Sequence, residues 1–210
     1  MCSLLSLDYS QFYGLSEEEV VDVLGFEGMG DRFTEVKAFY NGYVMAGSDK
    51  CLFIPWTIIN YLVRKTIAPY WVMAGGTDPF IAEALWSCGE DSRVSFLALL
   101  KGKHAVVPYT DDVNYERLSE AESLWSVLFH CGNVTGAFEV NSNRKLTVRA
   151  PNTEVKEELA RLWKRYFLRE RMGPAYEAAL CGLFNGNGLL FMDELMALAR
   201  YTEKFPFSNF

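Results

Sequence analysis

The chain has 210 residues, half of them hydrophobic, with 15 Phe, 11 Tyr and 5 Trp and a formal net charge of −7. That length fits one domain or two small ones around a sizeable core, and so many large rings exclude a disordered tail and call for a packed interior plus a contact surface. The acidic balance counts against sequence-independent nucleic-acid binding, because phosphate contacts need a basic face.

In chain order, Ser16 and Glu19 form a capping box ahead of Val20, Val21, Val23 and Leu24, which predicts a helix broken by Gly25, Gly28 and Gly30. A second helix is predicted over about Asp31–Tyr40, ending at Asn41-Gly42, a pair suited to positive φ. Pro55 stands where a first helical residue belongs, with Trp56, Ile59, Leu62 and Val63 following at helical spacing. Gly75-Gly76-Thr77-Asp78 reads as a loop before a helix carrying Phe80, Ile81, Ala84 and Leu85, and a further helix spans about Ser92–Leu100. Ala105-Val106-Val107 suits a short strand. Ser119 or Glu120 opens a helix with Leu124, Trp125, Leu128 and Phe129, closed by Gly132. Val134–Val140 and Leu146–Val148 read as strands joined by Asn141-Ser142-Asn143. Pro151-Asn152 starts a helix with Val155, Leu159, Leu162, Tyr166 and Phe167 on one stripe, and helix, hairpin and helix in this order suit a winged-helix-like unit. Segments 174–184 and 189–201 form a helical hairpin around Asn185-Gly186-Asn187-Gly188.

Five scattered cysteines (Cys2, Cys51, Cys88, Cys131, Cys181) with no C-x-x-C pair read as reduced, mostly buried thiols, and with only His104 and His130 a zinc site is not expected. The start lacks a signal-peptide pattern and no apolar run is long enough to span a membrane, so an intracellular protein, cytoplasmic or nuclear, is expected. A phosphate-binding loop needs a lysine and a hydroxyl after its glycines. Gly42 to Gly47 is followed by Ser48-Asp49 instead, and Gly102-Lys103-His104 lacks the upstream glycine. Glu35-Val36-Lys37 and Glu154-Val155-Lys156 match a nuclease E-x-K triplet but fall on helices, where an early Glu complements the dipole. Asp111-Asp112 reads as a solvated acidic loop, and His130, next to Cys131, as a buried histidine or a cation at a helix C-terminus. Lys156, Arg161, Lys164, Arg165, Arg169 and Arg171 make the most basic stretch, with Lys164, Arg165 and Arg169 the candidate nucleic-acid contacts, although Glu154, Glu157, Glu158 and Glu170 interleave with them.

Several segments together resemble a family. Phe39-Tyr40-Asn41-Gly42-Tyr43 is similar to the W-Y-N-G-Y motif of AAA-ATPase-like proteins that usually carry a C-terminal PD-(D/E)XK-type nuclease domain. Ile54-Pro55-Trp56-Thr57-Ile58-Ile59-Asn60-Tyr61-Leu62 resembles their N-P-W-S-I-x-N-F-L, and Pro69-Tyr70-Trp71 with Gly76-Thr77-Asp78 their P-Y-W and S-x-N-D. Glu122 to Leu128 with Gly132-Asn133-Val134-Thr135 resembles S-L-L-x-x-x-G-Y-L-T, and Ala150 to Val155 resembles I-P-N-x-E-V. Ile54 and Asn133 depart from the usual Asn and Tyr. The resemblance covers about Leu15 to Tyr201 and falls between the family's phosphate-binding region and its nuclease domain, so it implies no catalytic, cofactor-binding or metal-binding residue here. It implies structural roles: Asn41-Gly42 for a turn, Tyr40, Tyr43, Pro55 and Trp71 in their motifs, Trp56 and Trp125 as core anchors, Pro151 and Asn152 as a helix start.

The resulting expectation is a mainly α protein with a small β-hairpin: a helical lid-like region over 1–110, a winged-helix-like region over 111–172 and a C-terminal helical hairpin over 173–210. Its expected role is non-catalytic, a regulatory or protein-interaction module without a cofactor, with partner binding or self-association through an apolar face that includes Leu4, Leu5, Leu7, Tyr9, Phe12 and Tyr13. The alternatives are a nucleic-acid-binding winged helix and a fragment of a longer ATPase–nuclease.

Overall fold

The computed structural model describes residues 13–44, 50–73, 79–112, 117–138, 144–167 and 173–204. The expected apolar residues 4–12, the loop 75–78 and the hairpin tip 141–143 lie outside them. The fold is mainly α with two small antiparallel sheets, and it divides into two compact units, Met1–Leu159 and Ala160–Phe210. Among the described residues no helix is long and apolar enough to cross a membrane.

In the first unit, α1 (Glu17–Phe26) starts with the capping box: Glu19 N–H donates to Ser16 Oγ at 3.2 Å and Ser16 N–H to Glu19 Oε2 at 2.7 Å. These bonds hold the Glu19 carboxyl below its usual pKa. One 3₁₀ turn, Gly30–Arg32, takes the beginning of the expected second helix, leaving α2 as Phe33–Tyr40. After α2, β1 (Tyr43–Val44) pairs with β2 (Cys51–Leu52), a two-residue ladder too short to leave an alternating pattern. α3 (Pro55–Arg64) begins on its proline and stops at Lys65, whose φ of 57° closes the helix without a glycine. A single turn, α4 (Tyr70–Met73), follows. Val20, Leu24, Val36, Tyr40, Phe53, Ile58, Tyr61 and Tyr70 bury together as the core of this region, with the Tyr40 ring stacked on Tyr70 and edge-on to Tyr61.

The second half of this unit is built around a three-stranded sheet. α5 (Pro79–Ser87) and α6 (Glu90–Leu100) precede β3 (Ala105–Pro108), and α7 (Ala121–His130) precedes β4 (Thr135–Phe138) and β5 (Lys145–Arg149). The strand order is β3-β5-β4, so the expected hairpin is present and β3, from ahead of the expected 110/111 boundary, completes its sheet. Leu146 and Val148, alternate residues of the central strand, are fully buried. Both α6 and α7 pack on β3, and α7 is buried continuously from Ser123 to Phe129. α8 (Thr153–Phe167) follows, with the division between units falling inside it.

The second unit includes the expected hairpin, α9 (Gly173–Phe184) and α10 (Gly188–Lys204). Gly186 has φ 68°, and Asn187 Oδ1 accepts from Leu190 N–H at 3.2 Å, which caps the start of α10.

Candidate functional site

Most motif residues of the first unit converge on one junction, where the loop after α2 meets the start of α8. Asn152 caps α8, its Oδ1 accepting from Val155 N–H at 3.0 Å, and its Nδ2 donates to the Tyr40 carbonyl at 2.9 Å. Thr153 Oγ1 donates to the Ala38 carbonyl. Arg149 donates from Nη2 to the Gly42 carbonyl at 2.8 Å and from Nη1 to the carbonyls of Ala150 and Pro151. Gly42 has φ 141°, and a Cβ there would collide with the Pro151 carbonyl oxygen, so this approach admits only glycine. Asn41 Nδ2 donates to Glu17 Oε1 at 2.8 Å and ties the loop to α1.

Glu154 is the buried carboxylate of this junction, 1% exposed. It accepts from Trp71 N–H at 2.7 Å and from Thr57 Oγ1 at 3.4 Å, so the first turn of α8 holds both α3 and α4. Helical placement of Glu154-Val155-Lys156 agrees with the sequence reading, but the carboxylate does more than complement a dipole. Buried charge persists where donors converge on it. In the sequence Glu154 read as a helix-dipole partner and as the E of I-P-N-x-E-V, and Arg149 carried no signal, since the Gly42 carbonyl it reaches lies 107 residues away.

The tyrosines of the motif are anchored as well. Tyr40 hydroxyl donates to the Ala68 carbonyl and accepts from Ala68 N–H, and Tyr43 hydroxyl donates to the Gly132 carbonyl at 3.0 Å. Burial pushes both phenols well above their ordinary pKa, and the nearby Glu154 charge adds to the shift. Val44 N–H donates to Thr135 Oγ1, which joins β1 to β4. Trp125 is buried as expected. Trp56 is not a core anchor: it is 52% exposed, because Thr57, Ile58 and Tyr61 occupy the inward face of α3, while its indole N–H donates to the Tyr70 carbonyl at 3.3 Å. Ile59 and Val63, 54% and 77% exposed, lie on the same outer face at i+3 and i+7.

An open cleft of about 710 Å³ borders the junction, lined by residues that include Glu17, Lys37, Asn41, Lys50, Cys51 and Arg149. Its charges are already paired, Lys37 with Glu17 at 2.7 Å and Lys50 with Glu18 at 3.7 Å. Beyond the cleft, Asn133 is fully buried behind Gly132, and neither atom of its amide has a partner among the described residues.

The thiols are less buried than expected: Cys51 and Cys88 are half-buried, Cys131 and Cys181 exposed, and all four are free. Burial together with the Glu120 charge pushes the Cys88 thiol up to about 11. His130 ends α7 as an exposed residue, its Nε2 3.3 Å from the Tyr109 hydroxyl, which in turn contacts Asp111 at 3.0 Å. Partial desolvation of the ring outweighs the Asp111 charge and lowers its pKa. Asp111 and Asp112 are exposed, Asp111 bound to Tyr109 and Asp112 N–H donating to Thr110 Oγ1.

Of the basic candidates, Lys156, Arg161 and Lys164 are exposed. Arg165 lies on α8 with its side chain outside the described residues, and Arg169 lies outside them altogether. α7, the helix ahead of the hairpin, has no bare side to lay in a groove, since it is buried from Ser123 to Phe129.

No protein-family model, curated protein or solved structure matches the chain.

Proposed function

We propose that this chain is a protein-interaction module whose docking element is the outer face of α3, and whose partner is the nucleotide-binding portion of an AAA-ATPase-like protein. The carrying observation is the exposed stripe Trp56, Ile59 and Val63 on a helix fixed in place by Glu154. An i, i+3, i+7 set of large apolar side chains is how a helix docks into a hydrophobic groove, and tryptophan is the side chain most often dominant at such contacts. Trp56 and Ile59 lie within the segment that resembles N-P-W-S-I-x-N-F-L, and Val63 directly follows it, which ties the partner to the same resemblance. The polar motif residues serve one another across the junction, which supports a positioning role for them over chemistry on a substrate.

The test is calorimetric titration of the chain with a recombinant phosphate-binding-loop domain of that family from the same genome. Trp56→Ala and Val63→Asp are each expected to weaken binding by about tenfold or more. Absence of binding by the unaltered chain at about 100 µM, far weaker than a specific complex, would overturn the reading. A G-x-x-x-x-G-K-[ST] segment in the coding sequence upstream would put that partner on the same polypeptide.

A further inference from the structure

We propose that the α9–α10 hairpin is a self-association element, closed by a second copy of this chain with the two α10 helices antiparallel. This inference concerns the second unit and does not depend on the α3 docking face. Inside the hairpin the helices approach closely: a Cβ on Gly182 would lie 2.8 Å from the Phe191 backbone nitrogen and 3.3 Å from Leu190 Cβ. The side of α10 carrying Leu190 and Phe191 is therefore turned to α9.

The opposite side of α10 is apolar too. Leu189, Met192, Leu195 and Met196 are 80%, 45%, 44% and 50% exposed. Leu189, Met192 and Met196 fall at i, i+3 and i+7, with Ala199 continuing at i+10, the spacing of a coiled-coil seam. A helix apolar on opposite sides is ordinarily covered on both.

Charge selects the cover. Asp193 and Arg200 are exposed seven residues apart, along one edge of the seam. With a two-fold axis beside Met196 and antiparallel helices, Asp193 of each copy faces Arg200 of the other. A parallel pair would set Asp against Asp and Arg against Arg. An isologous contact of this kind is self-complementary and closes at two copies. α9 also exposes Tyr176, Leu183 and Phe184, but its sole charge is Glu177, which a second copy would meet as a like charge.

Sedimentation equilibrium on the full chain from about 1 to 100 µM, the range of moderate protein–protein affinity, tests the proposal. The expected result is a monomer–dimer equilibrium whose dissociation constant rises about tenfold or more for Met196→Glu. Asp193→Arg and Arg200→Asp alone should each weaken the dimer by about two- to fivefold, and the two together should restore it. The charge reversals lie at exposed positions, so they remain informative if Met196→Glu fails to fold, which circular dichroism would show. A chain that stays monomeric throughout, a dimer indifferent to the single reversals, or a double reversal weaker than either single one would each overturn the proposal. Trp56→Ala should dimerise as well as the unaltered chain, which separates this contact from the α3 face.

Discussion

At the scale of single residues, the junction around Glu154 is the place where one substitution should cost most. The carboxylate is out of water, and the Trp71 N–H and Thr57 hydroxyl point at it. Glu154→Ala would leave both donors unserved and is expected to lower unfolding free energy by about 2–4 kcal/mol, the cost of losing charge-assisted bonds plus orphaned partners. Urea titration measures it, and a loss below about 0.5 kcal/mol, typical of surface changes, would show that Glu154 is not a clamp. Asn133 presents the opposite case, a buried amide with nothing to bond among the described residues. Unpaired buried amide groups cost roughly 1–3 kcal/mol. Replacement by the similarly sized, apolar leucine in Asn133→Leu should therefore raise the melting temperature, and a fall would mean that the amide is served within the folded chain.

At the scale of elements, start and stop signals were legible because they are local. The Ser16–Glu19 box, the proline opening α3, the Asn152 cap and the glycines after α7 and inside the 185–188 turn all act within four residues, and all stand where the sequence put them. What the sequence could not show is which side of an element would face inward. Trp56 illustrates this: ring size argued for burial, but α3 carries apolar groups nearly all round, and Ile58 and Tyr61 won the inward positions. The two-residue strands β1 and β2 are similarly illegible, since their pairing and Val44's bond to Thr135 come from distant chain. At the end of α7 two effects oppose one another at His130. The Asp111 carboxylate favours the cation, partial desolvation of the ring favours the neutral form, and the net shift is downward. An unfolded chain therefore takes up this proton more readily than the folded one at pH values below about 6.5. The contribution is intact above that value and is lost as pH falls through the folded pKa. Denaturant titrations at about pH 7.5 and 5.5, either side of the ordinary histidine value, should show a smaller acid-side loss in His130→Gln than in the unaltered chain. Equal losses would remove His130 from the account.

At the scale of the molecule, the fold class was open to pattern reading and the junction was not. Helical stripes and turn residues delivered a mainly α chain with a small sheet. The junction depends on pairs 83 to 115 residues apart, such as Trp71 with Glu154 and Ala38 with Thr153, and no periodicity encodes a meeting at that distance. The five motif segments located several of its members through resemblance, without saying that Asn152 reaches Tyr40 or that Arg149 reaches Gly42.

Those same separations bear on how the chain comes to be folded during synthesis. A ribosome adds roughly 5–20 residues per second, so on the order of ten seconds pass between the emergence of the Tyr40–Gly42 loop and that of the segment that clasps it. Through that interval the segments of α1, α2 and α3 lack the Arg149, Asn152 and Glu154 bonds. Closing such long loops is entropically slow. The α1–α3 region is thus left without its polar latch until a short stretch near residue 150 arrives.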